Sequence, residues 1–176
     1  VWKQDNIAHH HSLNVDAEGF IWACTYNNKD GNYIEYDGAF SKDNRAFKFI
    51  DNTITKIDPQ TGEVLYHKSI SEILIENDLN YLFIKSNTSD DPLHVNDLEP
   101  ALVSTAHYEK GDLFISSRNL SCILQFRPST NQVIRLLEGP FYSQHDVDFY
   151  GDSSIVLFNN NGHTISQKNM NAHPKS

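Results

Sequence analysis

Four side chains able to do chemistry stand at the edges of apolar runs: His11 in AHHHSLN, His94 in DPLHVND, Arg118 in LFISSR and His145 in SQHDVDF. A neutral imidazole is a nucleophile near pH 7 and a proton carrier at the same pH. A guanidinium offers a planar fork of donors to an oxyanion. Asn96, Asp97, Glu99, Asp146 and Asp148 lie close by in sequence. Carboxylates beside histidines suit either a metal site or the orientation of imidazole rings. No HxH or HExxH pattern occurs on one element. The acidic residues therefore read as ring-orienting partners or turn caps, with no metal and no cofactor expected.

Short strands must position these groups. FIWACTY, ITKI, EVLY, LFIS, CILQF, QVIRLL and SIVLF are rich in β-branched or aromatic residues and are separated by the turn clusters DAEG, DPQTG, RPSTNQ and YGDSS. One helix is expected at Ser69–Asn77, with Ser69 as cap, Glu72 three residues on, and Ile70, Ile73 and Leu74 on one face. The polar segment 27–52 reads as a long insertion or hairpin, and Asn159–Gly162 as a turn.

The strands fall into repeats. His11 lies ten residues before Ile21, and His145 ten before Ile155. His94 opens a third copy, stretched by roughly nine residues ahead of its Gly-Asp turn. A second repeat interleaves: ITKIDPQTGEVLY matches ILQFRPSTNQVIR, and Gly62 or Asn131 supplies the positive φ its turn needs. Four short strands per repeat of roughly 40–50 residues is the arithmetic of a β-propeller blade. The fold class is therefore all-β, a β-propeller, with residues 1–176 covering about four blades or a fragment. Equivalent positions of successive blades converge on the central channel, which gathers His11, His94 and His145 around one axis.

Each residue also has a plainer reading. The HHH run would be a surface run. His94 would satisfy its turn, Arg118 would pair with Asp97 or Asp146, and His145 would cap a strand edge. Repeat-equivalent placement favours a shared site. His67, His107, His163 and His173 show no such register and read as surface or structural residues.

Fourteen basic against 23 acidic residues give a net charge of −9, which argues against a nucleic-acid surface but not against a locally positive pocket. Cys24 and Cys122 sit in apolar runs and read as buried thiols. No apolar run is long enough for membrane insertion. The chain starts in mid-pattern at Val1 and ends in NMNAHPKS, which reads as a fragment of a longer protein or one whose leader was removed.

The runs DPLHVNDLEP, GDLFISSRNLSCILQFRPSTNQVI, GPFYSQHDVDF and SIVLFNNN resemble the aryl sulfotransferase family, bacterial enzymes that work without the nucleotide sulfate donor. HHSLNVDAEGFIW and ITKIDPQTGEVLYHKSISEIL fit the same family, so the resemblance covers most of the chain. It implies a six-bladed propeller that transfers a sulfuryl group from an aryl sulfate to a phenol through a sulfated histidine. Carried over by motif, His145 is the nucleophile, while Arg118, His94 and Asn96 bind the sulfuryl oxygens. His11 assists the phenol oxygen, and His10 and Asp146 join the substrate-binding set, with Asp146 fixing the tautomer of His145. The resemblance also implies a periplasmic or secreted location and leaves room for a homo-oligomer. Two other readings stay open: a non-catalytic propeller holding an anionic ligand or protein partner in its channel, and a metal-dependent hydrolase built on the histidines.

Overall fold

The computed structural model describes residues 1–27, 33–36, 47–86 and 88–161. The chain runs through β1 (His9–Val15), β2 (Ile21–Tyr26), β3 (Tyr33–Tyr36), β4 (Phe47–Ile50), β5 (Asn52–Ile57), β6 (Val64–Ser69) and α1 (Ile70–Glu76). A 3-10 helix at Asn80–Lys85 follows, then β7 (Val95–Pro100), β8 (Leu113–Ser117), β9 (Cys122–Arg127), β10 (Gln132–Leu137), β11 (His145–Tyr150) and β12 (Ser154–Phe158). All pairings are antiparallel. Two four-stranded sheets, ordered β1-β2-β5-β6 and β10-β9-β8-β7, are joined by the two-stranded sheets β11-β12 and β3-β4. The fold is thus all-β, as the strand pattern indicates.

Every strand read from sequence is present. The three histidine-bearing segments contribute strands too: β1 and β7 complete the two four-stranded sheets, and β11 pairs with β12. The count of about four repeats is corrected: the described residues hold two four-stranded sheets and the two-stranded sheet β11-β12, and these do not close into a ring. The remaining length goes to the helices and loop between Ser69 and Val95 and to the insertion. Within that insertion β3 and β4 pair from Tyr33↔Ile50 to Tyr36↔Phe47, while residues 28–32 and 37–46 lie outside the described set.

Local chemistry explains the connections. The Ser69 hydroxyl accepts from the Glu72 N–H (3.1 Å) and caps α1, whose Ile70, Ile73 and Leu74 are buried. The two matched hairpin turns take positive φ at Gly62 (78°) and Asn131 (57°), as their turn type requires. A Cβ on Gly62 would also meet the Trp2 ring at 2.7 Å.

Between the two large sheets lies the main core, with Trp22, Ile54, Ile73, Leu74, Leu98, Ile115, Leu124 and Phe126 buried. Each such side chain contributes about 1.5–3 kcal/mol by leaving water. A second cluster, Phe114, Ile123, Tyr108 and Val147 with Phe149 and Ile155, seats β11-β12 on the second sheet. Cys24 and Cys122 are buried free thiols, each pushed up to about 12, by burial first. The two cores bring β1, β7 and β11 side by side. No described helix is long and apolar enough to cross a membrane.

Candidate functional site

Each of these three strands is irregular at its histidine end. Register shifts fall between His9 and Leu13 in β1, between Val95 and Asp97 in β7, and between His145 and Asp148 in β11. His11 (φ 56°), His94 (45°), Ser143 (53°) and Asp146 (57°) adopt the left-handed conformation. Such a conformation is uncommon in residues with a Cβ, and bulges of this kind re-aim side chains. The result is a cluster of rings: His11 lies 4.9 Å from His94, 6.4 Å from His145 and 5.1 Å from His10, centroid to centroid.

The partner of each ring fixes its proton. Nδ1 of His94 is hydrogen-bonded to a carboxylate oxygen of Asp91. The other oxygen of Asp91 accepts from the His94 N–H (3.1 Å) and from the Asn52 amide (3.3 Å). Nδ1 of His145 lies 3.2 Å from the Ser143 carbonyl and 2.9 Å from the Asn160 side-chain amide. A carbonyl only accepts, whereas an amide serves either role after a half-turn, so a proton on Nδ1 satisfies both contacts. Nε2 of His10 donates to the Thr25 carbonyl (3.0 Å), leaving its Nδ1 to accept from Nδ1 of His11 (2.8 Å). Tyr26 stacks on His10 at 4.1 Å. In this arrangement His11, His94 and His145 each keep an Nε2 with no hydrogen-bond partner among the described residues.

Arg118 follows β8 directly. Its backbone N–H donates to the His94 carbonyl (3.0 Å) and its Nη1 to the Asn119 side-chain oxygen (2.7 Å). Among the described residues it has no carboxylate partner, so the ion pair with Asp97 or Asp146 is not formed. Burial lowers the pKa of His11, and the neighbouring His94, His145 and Arg118 lower it further. Burial also lowers that of His145; the Ser143 carbonyl opposes this, while Arg118 and His94 reinforce it. Burial pushes His10 down to about 4. These shifts favour the neutral form of His10, His11 and His145. Burial alone would raise the pKa of Asp91, but the bonds from His94 and Asn52 outweigh it and hold the carboxyl below its usual range.

Two expected site residues sit differently. Asn96 is buried, and its amide donates to the Gln144 carbonyl (2.8 Å), so it holds the residue before His145 rather than facing open space. Asp146 is exposed and makes no hydrogen bond to His145; the Ser143 carbonyl and Asn160 occupy that ring nitrogen instead. The left-handed backbone of Asp146 and the register shift around it turn its carboxylate away from that ring nitrogen. Sequence reasoning missed Asp91, Gln144 and Asn160. Asp91 had a signal, since an Asp two residues before the Leu-His pair and followed by Pro marks a turn that folds back on itself. The fully buried Gln144, whose amide donates to Ser116, Ser117 and Cys122, had none. His67 bonds Thr55 (2.8 Å) away from the cluster, His107 is exposed in a loop, and His163 and His173 lie outside the described residues. Among the described residues no group of three or more His, Cys, Asp or Glu side chains is arranged to hold a metal ion.

Unpaired imidazole nitrogens beside a free guanidinium can attack an electrophile, move a proton and neutralise a spreading anionic charge. A family model described as Arylsulfotransferase (ASST) matches residues 3–176. The chain finds no significant match among curated proteins or among solved structures.

Proposed function

Because the chain belongs to the arylsulfotransferase family, we propose that it transfers a sulfuryl group from an aryl sulfate to a phenol through a sulfated His145. One observation carries this reading: the ring of His145 is held by the Ser143 carbonyl at Nδ1, its pKa is lowered by burial and by the charge of Arg118, and its Nε2 has no hydrogen-bond partner among the described residues. In the first half-reaction Nε2 attacks sulfur, the sulfur–aryl oxygen bond breaks, and the phenolate leaves. His94 gives that oxygen a proton from its Nε2, with the Asp91 carboxylate on Nδ1 balancing the charge. The incoming phenol returns a proton to His94 as its oxygen attacks the sulfohistidine. Arg118 bears on the sulfuryl oxygens, where negative charge spreads in the transition state. This moves the proton-carrying role from His11 to His94, since His94 has the carboxylate partner. His11 then packs near both working rings, with His10 behind it.

The meander order of the two large sheets and the side-by-side packing of β1, β7 and β11 support reading them as propeller blades around a channel. The family reading extends to a periplasmic or secreted location. The test is direct. Incubated with 4-nitrophenyl sulfate, the protein should gain the mass of one sulfuryl group at His145 and release nitrophenol, and His145→Gln should lower release by roughly 10³-fold or more. Binding of the aryl sulfate with neither adduct nor release would replace this reading with that of a non-catalytic anion-binding protein.

A further inference from the structure

His11 lies within β1, His94 immediately precedes β7 and His145 opens β11, yet the three strands belong to three different sheets, so no backbone ladder joins them. Side chains join them instead. The Ser12 hydroxyl accepts from the Leu98 N–H (3.1 Å), and the Asn14 amide donates to the Leu98 carbonyl (3.0 Å). On the other flank Asn96 reaches the Gln144 carbonyl (2.8 Å). Asp97 works in both directions: one carboxylate oxygen accepts from the Asn14 amide (3.4 Å) on β1, and the other from the Val147 N–H (2.7 Å) on β11. Among the described residues no other side chain of β7 bonds to both flanking strands. Asn14 stands three residues after His11, Asp97 three after His94, and Val147 two after His145.

We infer that Asp97 is a positioning residue that sets the mutual placement of His11, His94 and His145 by tying β1 and β11 to β7. Its carboxylate is 4% exposed. Burying a charge there is costly, and an apolar side chain of similar volume would serve stability at least as well. What an apolar side chain lacks is two acceptor atoms aimed at two strands. The functional part of this inference rests on the sulfotransferase reading; the geometric part does not.

Two variants test it. Asp97→Asn keeps the size and one acceptor for Val147 but turns a donor toward the Asn14 donor. Asn14→Ala removes the bonds from β1 to the Asp97 carboxylate and to the Leu98 carbonyl, leaving the carboxylate bonded to Val147 and Ser12 bonded to the Leu98 N–H, so it tests the β1 side if Asp97→Asn fails to fold. The readouts are the imidazole titrations of His11 and His145 by NMR, the split between kcat and KM for the aryl sulfate, and Tm. The charges acting on His11 are those of His94, His145, Arg118 and Asp91, and those acting on His145 are Arg118, His94 and Asp146. Loosened rings should titrate at higher pH in the folded variants. kcat should fall about tenfold or more with KM changed by less than about threefold, because a misplacement of one ångström already costs that much. Unchanged titrations in a folded Asn14→Ala protein, or losses that only follow Tm, would overturn the inference. Titrations that move in a protein that never forms the sulfohistidine would keep the positioning role and sink the sulfotransferase reading alone.

Discussion

The segments Asp91–His94 and Tyr142–His145 do the same geometric work with different chemistry. Each delivers a histidine to the start of a strand at a sheet edge, β7 or β11, and each contains a left-handed residue, His94 or Ser143. Both are clamped by buried side chains. Ser117 and Asn119 donate to the Leu93 and Asp91 carbonyls (both 2.6 Å) for the first, and Gln144 bonds to the Ser117 (3.1 Å) and Cys122 (2.9 Å) carbonyls for the second. The difference is the atom facing Nδ1: a carboxylate for His94, a carbonyl for His145. A carboxylate balances an imidazolium, so its histidine can pass a proton. A carbonyl orients the ring without adding charge, so its histidine keeps a lone pair. The two segments place their histidines alike, and the group facing Nδ1 is what differs.

Removing the cation that both segments share should have the largest effect. Arg118→Ala should lower kcat/KM for the aryl sulfate by about 10²- to 10³-fold, the usual loss when one donor to a developing anion is deleted. It should also raise the titration midpoint of His145, because Arg118 is one of the causes depressing it. Asp91→Asn then makes the first segment resemble the second. Transfer from aryl sulfates with poor leaving groups should fall about 10- to 100-fold, whereas 4-nitrophenyl sulfate, whose phenolate needs no proton, should hardly respond. Equal losses across a series of leaving groups would break the comparison. The reverse conversion is Asn160→Asp, which sets a carboxylate beside Nδ1 of His145. It should raise the pKa of that ring and cost about three- to tenfold in rate near pH 6, with recovery toward pH 8 as the ring loses its proton.

The strands, the capped helix, the two matched turns and the buried thiols were legible because each follows from local rules. FIWACTY and CILQF read as strands on composition, and Gly62 and Asn131 stand where their turns demand positive φ. The histidine-bearing strands carry a weaker signal for a physical reason: HHHSLNV, VNDLEP and HDVDFY hold polar groups that bond to neighbouring strands, and a register shift interrupts each. The gathering of His11 with His94 and His145 was readable from repeat spacing. Their partners were not, because adjacency along a strand differs from adjacency in space. Asp146 follows His145 and points elsewhere, whereas Asp91 reaches His94 through a turn. The buried amides of Asn96 and Gln144 hold backbone carbonyls, a role that no residue type announces.

Further along the same two strands the contrast between β7 and β11 becomes one of burial. Glu99 on β7 is half-buried, and its carboxyl is pushed up to about 7, first by burial and then by Asp97, Asp148 and Asp146. Asp146 and Asp148 on β11 are exposed. The folded protein therefore holds a proton on Glu99 at a pH where the unfolded chain, with its carboxyl at the ordinary value of 4.5, has already released it. The stability this contributes is complete below the unfolded value and is lost as pH rises through about 7. After allowance for solvent screening of a half-exposed group, the loss is on the order of 1 kcal/mol. Glu99→Gln should remove this pH dependence. The variant should gain about 1 kcal/mol over the parent in urea unfolding near pH 8 relative to its difference near pH 4. An advantage of the same size at both pH values would mean that shape, not repulsion among the carboxylates, sets the strain at this end of β7.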